Sequence, residues 1–259
     1  MCHGRVRLPV KSASFRRLTE GSWQNHPVPR DSRRLGYLNA YASEGGLDGR
    51  YQPSTVWSAL IGLGQVEGPG RADDVWHRYD ELWERASELG LDGVRLAISW
   101  ARIQPRARVR DDEALEKYRR VVESAHRRDL WVSVELVDLA WPAWLGLEPW
   151  TMPWVKDALF QYVTAASALL GADDYLVVAD IEEMTDGFVS GLRPPWRRGA
   201  TEGRRVSARN LREWTGEIRA KLPHIPWASG GESVVGRLLE GYGPLSGVPA
   251  IISRSEWVG

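Results

Sequence analysis

Acidic residues stand where apolar runs end, and carboxyl groups placed that way can do proton chemistry. Val134-Glu135-Leu136-Val137-Asp138 sets two carboxyls in an otherwise apolar stretch. Val177-Val178-Ala179-Asp180-Ile181-Glu182-Glu183 repeats the pattern. Burying an unpaired carboxylate is costly, so each of these acids either reaches water at a rim or meets a cation. Arg95, inside the apolar run Gly93 to Trp100, is the natural cation. A carboxyl beside an arginine stays ionised to lower pH, whereas one in an apolar pocket stays protonated to higher pH. Two carboxyls in such different surroundings suit cleavage of a glycosidic bond, one as acid and the other as base or nucleophile. For Glu135 and Asp180 the plainer reading is an ion pair stitching neighbouring strands.

Other chemistries find no support. His3, His26, His77, His126 and His224 are isolated and show no paired ligand spacing, so no metal site is expected. No Ser sits in a G-x-S-x-G elbow. Gly62-Leu63-Gly64 is followed by Gln65-Val66-Glu67 rather than by a third glycine opening a helix, which argues against a dinucleotide cofactor; no cofactor is expected. The 34 Lys and Arg balance 34 Asp and Glu, so nothing suggests nucleic-acid binding through bulk charge. Cys2, the single cysteine, excludes an internal disulfide. No apolar run approaches the ~20 residues that span a bilayer, and residues 1–20 lack the apolar core of a secretory signal; a cytoplasmic location is the expectation. Tryptophan is abundant, with 14 in 259 residues. Its flat apolar face and single N–H donor suit either a core or the stacking face of a sugar.

The elements that would position these groups alternate. Residues 1–52 carry scattered arginines, Ser and Gly without periodicity and read as an irregular N-terminal extension. Residues 53–259 read as one domain. Val56–Gln65 is a short apolar run. Val75, Trp76, Tyr79, Leu82, Trp83, Ala86 and Leu89 recur at helical spacing up to Gly90. Strands are expected at 93–100, 130–137, 175–181, 226–229 and 248–253, and helices at 111–128, 153–170, 207–222 and 232–240. This alternation implies βαβ units and a parallel sheet. Polar residues collect after strand ends, as on the active rim of a (β/α) barrel. The fold class is therefore α/β, a reduced or incomplete TIM-type barrel of about six βα units. An exposed sheet edge would invite a homo-oligomeric partner or cover by the N-terminal segment.

The chain resembles glycoside hydrolase family 1, the β-glucosidase-type barrels, over residues 55–200. Trp57-Ser58-Ala59-Leu60-Ile61-Gly62-Leu63-Gly64-Gln65-Val66-Glu67-Gly68 is similar to the family's first strand with its Q-x-E-G ending. Trp76 to Pro105 matches a helix followed by R-F-S-I-S-W-x-R-I-x-P, with Arg95, Ser99, Trp100, Arg102 and Pro105 in place. Glu116–Pro142 resembles the next helix and third strand, and Gly187-Phe188-Val189-Ser190-Gly191 the G-Y-x-x-G after the fourth. The resemblance implies a glycosidase acting on a sugar-containing substrate. It makes Glu182 the general acid/base, with Glu183 the alternative after a one-residue shift. It assigns ring binding to Gln65, Trp100 and Trp141, and gives Arg95 the task of holding an opposing carboxylate ionised. The family's strand-three His falls on Asp138, and the Asn before the acid falls on Ile181. The nucleophile falls on Arg254 without gaps, or on Glu256 after a two-residue slide; Ser255-Glu256-Trp257 also resembles a sugar-binding Glu-Trp, which would give Trp257 that role. Glu232, Glu135 and Asp138 are further candidates for the second carboxyl. Beside cleavage of a β-glycosidic or related acetal bond stand two alternatives. One is a repurposed barrel without the nucleophile, acting on a small metabolite as in secondary metabolism. The other is a non-catalytic carbohydrate-binding pseudoenzyme.

Overall fold

A parallel sheet covered on both faces needs strands that are almost continuously apolar, and four such runs build the centre of the molecule. The computed structural model describes residues 33–46, 53–66, 68–72 and 74–228, and the backbone of 232–237. The central strands are β1 (Arg33–Asn39), β2 (Gly93–Ala97), β3 (Trp131–Val137) and β4 (Asp174–Val178), and a fifth, β5 (Glu232–Arg237), follows. All pair in parallel, in the order β4-β3-β2-β1-β5. The register sets Asn39, Ala97 and Glu135 side by side at the C-terminal end of the sheet.

Helices return the chain between strands. α3 (Val75–Glu88) and α5 (Asp112–His126) pack their apolar faces together, and Trp83 donates its indole N–H to the Val121 carbonyl at 3.2 Å. Asp111 caps α5 by accepting the Ala114 N–H at 2.9 Å. α6 (Val155–Leu169) buries Leu159, Tyr162 and Val163, and α8 (Thr201–Lys221) buries Leu211, Trp214 and Ile218. The fully buried Trp83, Trp100, Trp141 and Trp150 show that much of the tryptophan content is core. The short helices α1 (Ala40–Ser43), α2 (Ser58–Gly62), α4 (Trp100–Ile103) and α7 (Ile181–Thr185) lie in the loops.

The structure is thus α/β with a parallel sheet, an incomplete barrel, and three sequence expectations change. Residues 33–39 are the strand beside β2, not irregular chain: Leu35 and Leu38 are buried between layers. The two arginines that hid this strand sit at its start, where Arg33 lies over the Trp131 ring at 3.5 Å and Arg34 pairs with Asp92 at 3.1 Å. The sheet therefore includes part of the expected extension. Residues 58–62 are helix α2, none of them buried, rather than a first strand. Residues 232–237 are β5 rather than a helix, because they find an unpaired edge on β1. Trp227 meanwhile forms a parallel bridge with Tyr175 of β4, with Ala228 donating to the Tyr175 carbonyl at 3.0 Å. Trp227 and β5 accordingly meet the two outer members of the four central strands, β4 and β1. The strand expected at 248–253 lies outside the described residues.

Candidate active site

The C-terminal ends of β1, β2 and β3 converge on a buried carboxyl pair. Glu135 of β3 and Asp138, one residue beyond it, are each 6% exposed. β1 supplies their polar partners. The Tyr37 hydroxyl donates to Glu135 Oε2 at 3.3 Å, and Asn39 Nδ2 donates to Asp138 Oδ2 at 3.1 Å. Backbone N–H groups complete the set, from Ala179 to Glu135 Oε1 at 3.2 Å and from Ala140 to Asp138 Oδ1 at 2.9 Å. Burial pushes the Glu135 carboxyl up to about 8; the Asp138 charge adds to this, against the pull of the Ala179 N–H and the Arg95 charge. Burial likewise pushes Asp138 up to about 7, opposed first by the Ala140 N–H and supported by the charge of Glu44. Tyr37 is pushed well above its ordinary value, by burial and then by Glu135. The Glu183 charge contributes, as the smallest of the causes, to the upward shift of all three groups.

After β4 the chain turns at once into α7, because Asp180 accepts the Glu183 N–H at 2.9 Å and caps it. Glu182 and Glu183 thereby project from a short helix at the rim. The Glu183 carboxylate meets Arg193 at 2.5 Å and is 50% exposed. Asp180, Glu182, Glu183, Asp186, Val189 and the arginines Arg193 and Arg204 line an open hollow of about 480 Å³. Gly187 holds the following loop close, since a Cβ there would lie 2.1 Å from the Pro194 carbonyl oxygen.

Several expected roles change with this geometry. Glu182 is not held in an aromatic-walled, water-poor site: it is 60% exposed, and both of its oxygens are taken, by Arg204 and by Arg212 at 3.3 Å. Trp100 is a core residue, stacked on Tyr162 at 4.6 Å with its N–H on Gln104 Oε1 at 2.9 Å. Trp141 is equally buried, its N–H on the Gly146 carbonyl at 2.9 Å. Gln65 lies exposed in the turn after α2 and belongs to no strand. The E-G pair that follows a first strand is Glu44-Gly45, after β1. Arg95 remains on β2, with its Nε on Ser133 Oγ at 3.3 Å and its charge felt by Glu135. Glu135, read as a strand-stitching ion pair, instead accepts from a hydroxyl and an amide beside Asp138. Glu256, Trp257 and Arg254 lie outside the described residues, as does the side chain of Glu232. Tyr37 and Asn39 escaped the sequence reading because two arginines precede them; the apolar run Leu35-Gly36-Tyr37-Leu38 was the available signal. Among the described residues no cluster of His, Cys, Asp and Glu is arranged to hold a metal ion, and no helix is long and apolar enough to cross a membrane.

Parallel strands alternating with helices, and polar side chains gathered at the C-terminal rim, define part of a TIM-type (β/α) barrel. No protein-family model matches the chain. Among curated proteins it is similar to a coniferin β-glucosidase of Pinus contorta, 30% identical over 175 residues, covering 62% of this chain and 34% of that protein. It is also similar to β-glucosidase 17 of Arabidopsis thaliana, 36% identical over 103 residues, covering 37% of this chain and 19% of that one. Among solved structures it superposes on the family 1 β-glucosidase of Thermotoga maritima with a TM-score of 0.67 at 19% identity, covering 76% of this chain and 47% of that one. A psychrophilic β-glucosidase of Micrococcus antarcticus gives a TM-score of 0.68 at 23% identity, with 78% and 45% covered. The chain is thus similar in sequence to β-glucosidases over part of its length and shares the fold of family 1 β-glucosidase barrels, and it spans about a third of the coniferin β-glucosidase's length.

Proposed function

We propose that the chain is a glycosidase-type hydrolase that cleaves a β-glycosidic or related acetal bond by proton donation from the buried carboxyl pair. The observation that carries this reading is two kinds of carboxyl at one rim. Asp138 is buried and its affinity for a proton lies near neutrality, which suits a general acid at that pH. Glu183 is half exposed and paired with Arg193. Asp138 would protonate the leaving oxygen, and Glu183 would face the positive charge that develops on the sugar ring or direct a water to it. Glu135, protonated beside it, keeps a second negative charge away from Asp138. Glu182, taken up by Arg204 and Arg212, orders the rim and donates no proton.

That same engagement of Glu182 favours a second reading, sugar binding without turnover. Phenol release from an aryl β-glucoside, followed with Asp138→Asn and Glu183→Gln, decides between them. Removal of a general acid costs about 10²- to 10⁴-fold in rate, so both variants are expected to lose at least about a hundredfold. Release by either variant at the wild-type rate removes that residue from the mechanism. An inactive wild type that still binds glucosides in calorimetry leaves the second reading standing.

A further inference from the structure

Asn39 ends β1 and opens α1, and both polar atoms of its side chain are engaged. Its backbone is extended, with φ −99° and ψ 126°, and its Oδ1 accepts the Ala42 N–H at 3.1 Å, capping α1. A backbone N–H only donates, so the amide atom that meets it is the oxygen. The other end of the amide is therefore Nδ2, which carries two N–H donors. One reaches Asp138 Oδ2 at 3.1 Å and the other the Tyr37 hydroxyl at 3.4 Å. The Tyr37 oxygen thus accepts, and its own proton points to Glu135 Oε2 at 3.3 Å. Residues two apart in a strand share a face, which is why Tyr37 and Asn39 meet the two carboxyls together.

The fixed amide gives the two carboxyls unequal seats. Asp138 meets an N–H on each oxygen, from Ala140 and from Asn39. Glu135 meets the Ala179 N–H on one oxygen and the Tyr37 hydroxyl on the other. A hydroxyl has lone pairs as well as a proton and suits either protonation state of its partner, whereas an N–H favours the charged one. Burial opposes ionisation of both carboxyls, and the Asn39 amide works against it at Asp138. The other charged or titratable groups whose fields couple to the pair are Arg95 of β2, Glu44 after α1, Tyr162 of α6 and Glu183 of α7. Among the described residues, Asn39 is the side chain that donates to Asp138.

We propose that Asn39 is a positioning residue: its amide, locked by the cap of α1, seats Asp138 as the carboxyl that releases its proton first and aims the Tyr37 hydroxyl at Glu135, which keeps its proton longer. Delivery of the Asp138 proton to a substrate rests on the proposed glycosidase reading, whereas the order of proton release does not. Two interacting carboxyls titrate as a pair, in two steps that belong to both. Loss of the Asn39 amide takes a donor from ionised Asp138, so the first step moves up towards the second.

Carbon NMR of the Asp and Glu carboxyl signals against pH reads these steps without any substrate. The wild type is expected to show them at about 7 and about 8. Asn39→Ser keeps an oxygen that caps α1 and is too short to reach Asp138, so it separates positioning from capping; Asn39→Leu loses both. In Asn39→Ser the first step is expected to rise by about one pH unit, a tenfold change in proton affinity, at the wild-type melting temperature. Asn39→Leu is expected to show the same rise with a lower melting temperature. Tyr37→Phe, which keeps the Asn39 amide, is expected to move the second step and leave the first. A first step that stays put in Asn39→Ser, or that moves as far in Tyr37→Phe, overturns the positioning role. In the enzyme assay, the alkaline limb of kcat/KM for an aryl β-glucoside is expected to rise with the first step. A first step that moves in Asn39→Ser while that limb does not, or in a chain without turnover, supports the positioning role and sinks Asp138 as the donor to substrate.

Discussion

A carboxyl group in water ionises near pH 4, and the surroundings of Glu135 and Asp138 oppose that ionisation in the folded chain. Their proton affinities rise to about 8 and about 7. Between about pH 4 and 8 the folded state thus holds protons that the unfolded state has released. Stability follows the difference in bound protons, so it is greatest at the acid side of this window and declines as pH rises through the folded values. The melting temperature is expected to fall between pH 5 and pH 8.5, and Glu135→Gln, which cannot ionise, is expected to flatten the slope. Equal slopes for wild type and variant would show that Glu135 ionises normally.

Elements are tied together below the rim by a buried charge network. Glu44, just after α1, accepts from Arg102 Nε at 2.8 Å and from the Tyr118 hydroxyl at 2.7 and 2.9 Å. Arg102 on α4 also donates to the Gly45 carbonyl and lies over the Trp76 ring at 4.3 Å. Tyr118 on α5 accepts the Ser99 N–H at 2.9 Å. Burial raises the Glu44 carboxyl above its ordinary value, against the attraction of Arg102. Gly45 is needed at this junction, since its φ is +78° and a Cβ would lie 2.2 Å from the Arg71 carbonyl oxygen. Truncating one partner of a buried pair strands the other charge, which costs about 3–5 kcal/mol. Glu44→Ala is expected to lower stability by that amount in urea unfolding, and Glu44→Gln by less; an unchanged midpoint in Glu44→Ala would mean the pair contributes nothing.

The same scale shows what the sequence made legible. α3, α5 and α6 were readable because long amphipathic periodicity fixes both element and buried face. β2, β3 and β4 were readable as apolar runs between helices. β1 was not, because Arg33 and Arg34 look like surface chain until Trp131 and Asp92 are brought opposite them. Missing β1 displaced the first-strand motif onto Trp57–Gly68 and with it the role given to Gln65. The carboxyls themselves were visible, and what separated Glu135 from Glu182 was burial, a tertiary property that strand-end spacing does not encode.

At the scale of the whole molecule, the sheet depends on how its outer strands are met. β1 pairs with β2 on one side and with β5 on the other, from Arg33 opposite Glu232 to Tyr37 opposite Arg237. Without β5 a row of backbone donors and acceptors on β1 would face outward, and an unpaired edge is a template for another chain. Proline removes a ladder N–H and cannot sit inside a paired strand without disrupting it. Val234 lies opposite Leu35 in the middle of this pairing, so Val234→Pro strikes the backbone contact directly. The variant is expected to unfold at a lower temperature than wild type and to self-associate in light scattering as concentration rises. A Val234→Pro protein with wild-type melting and no change in mass would mean that the β1 edge is protected by something other than β5.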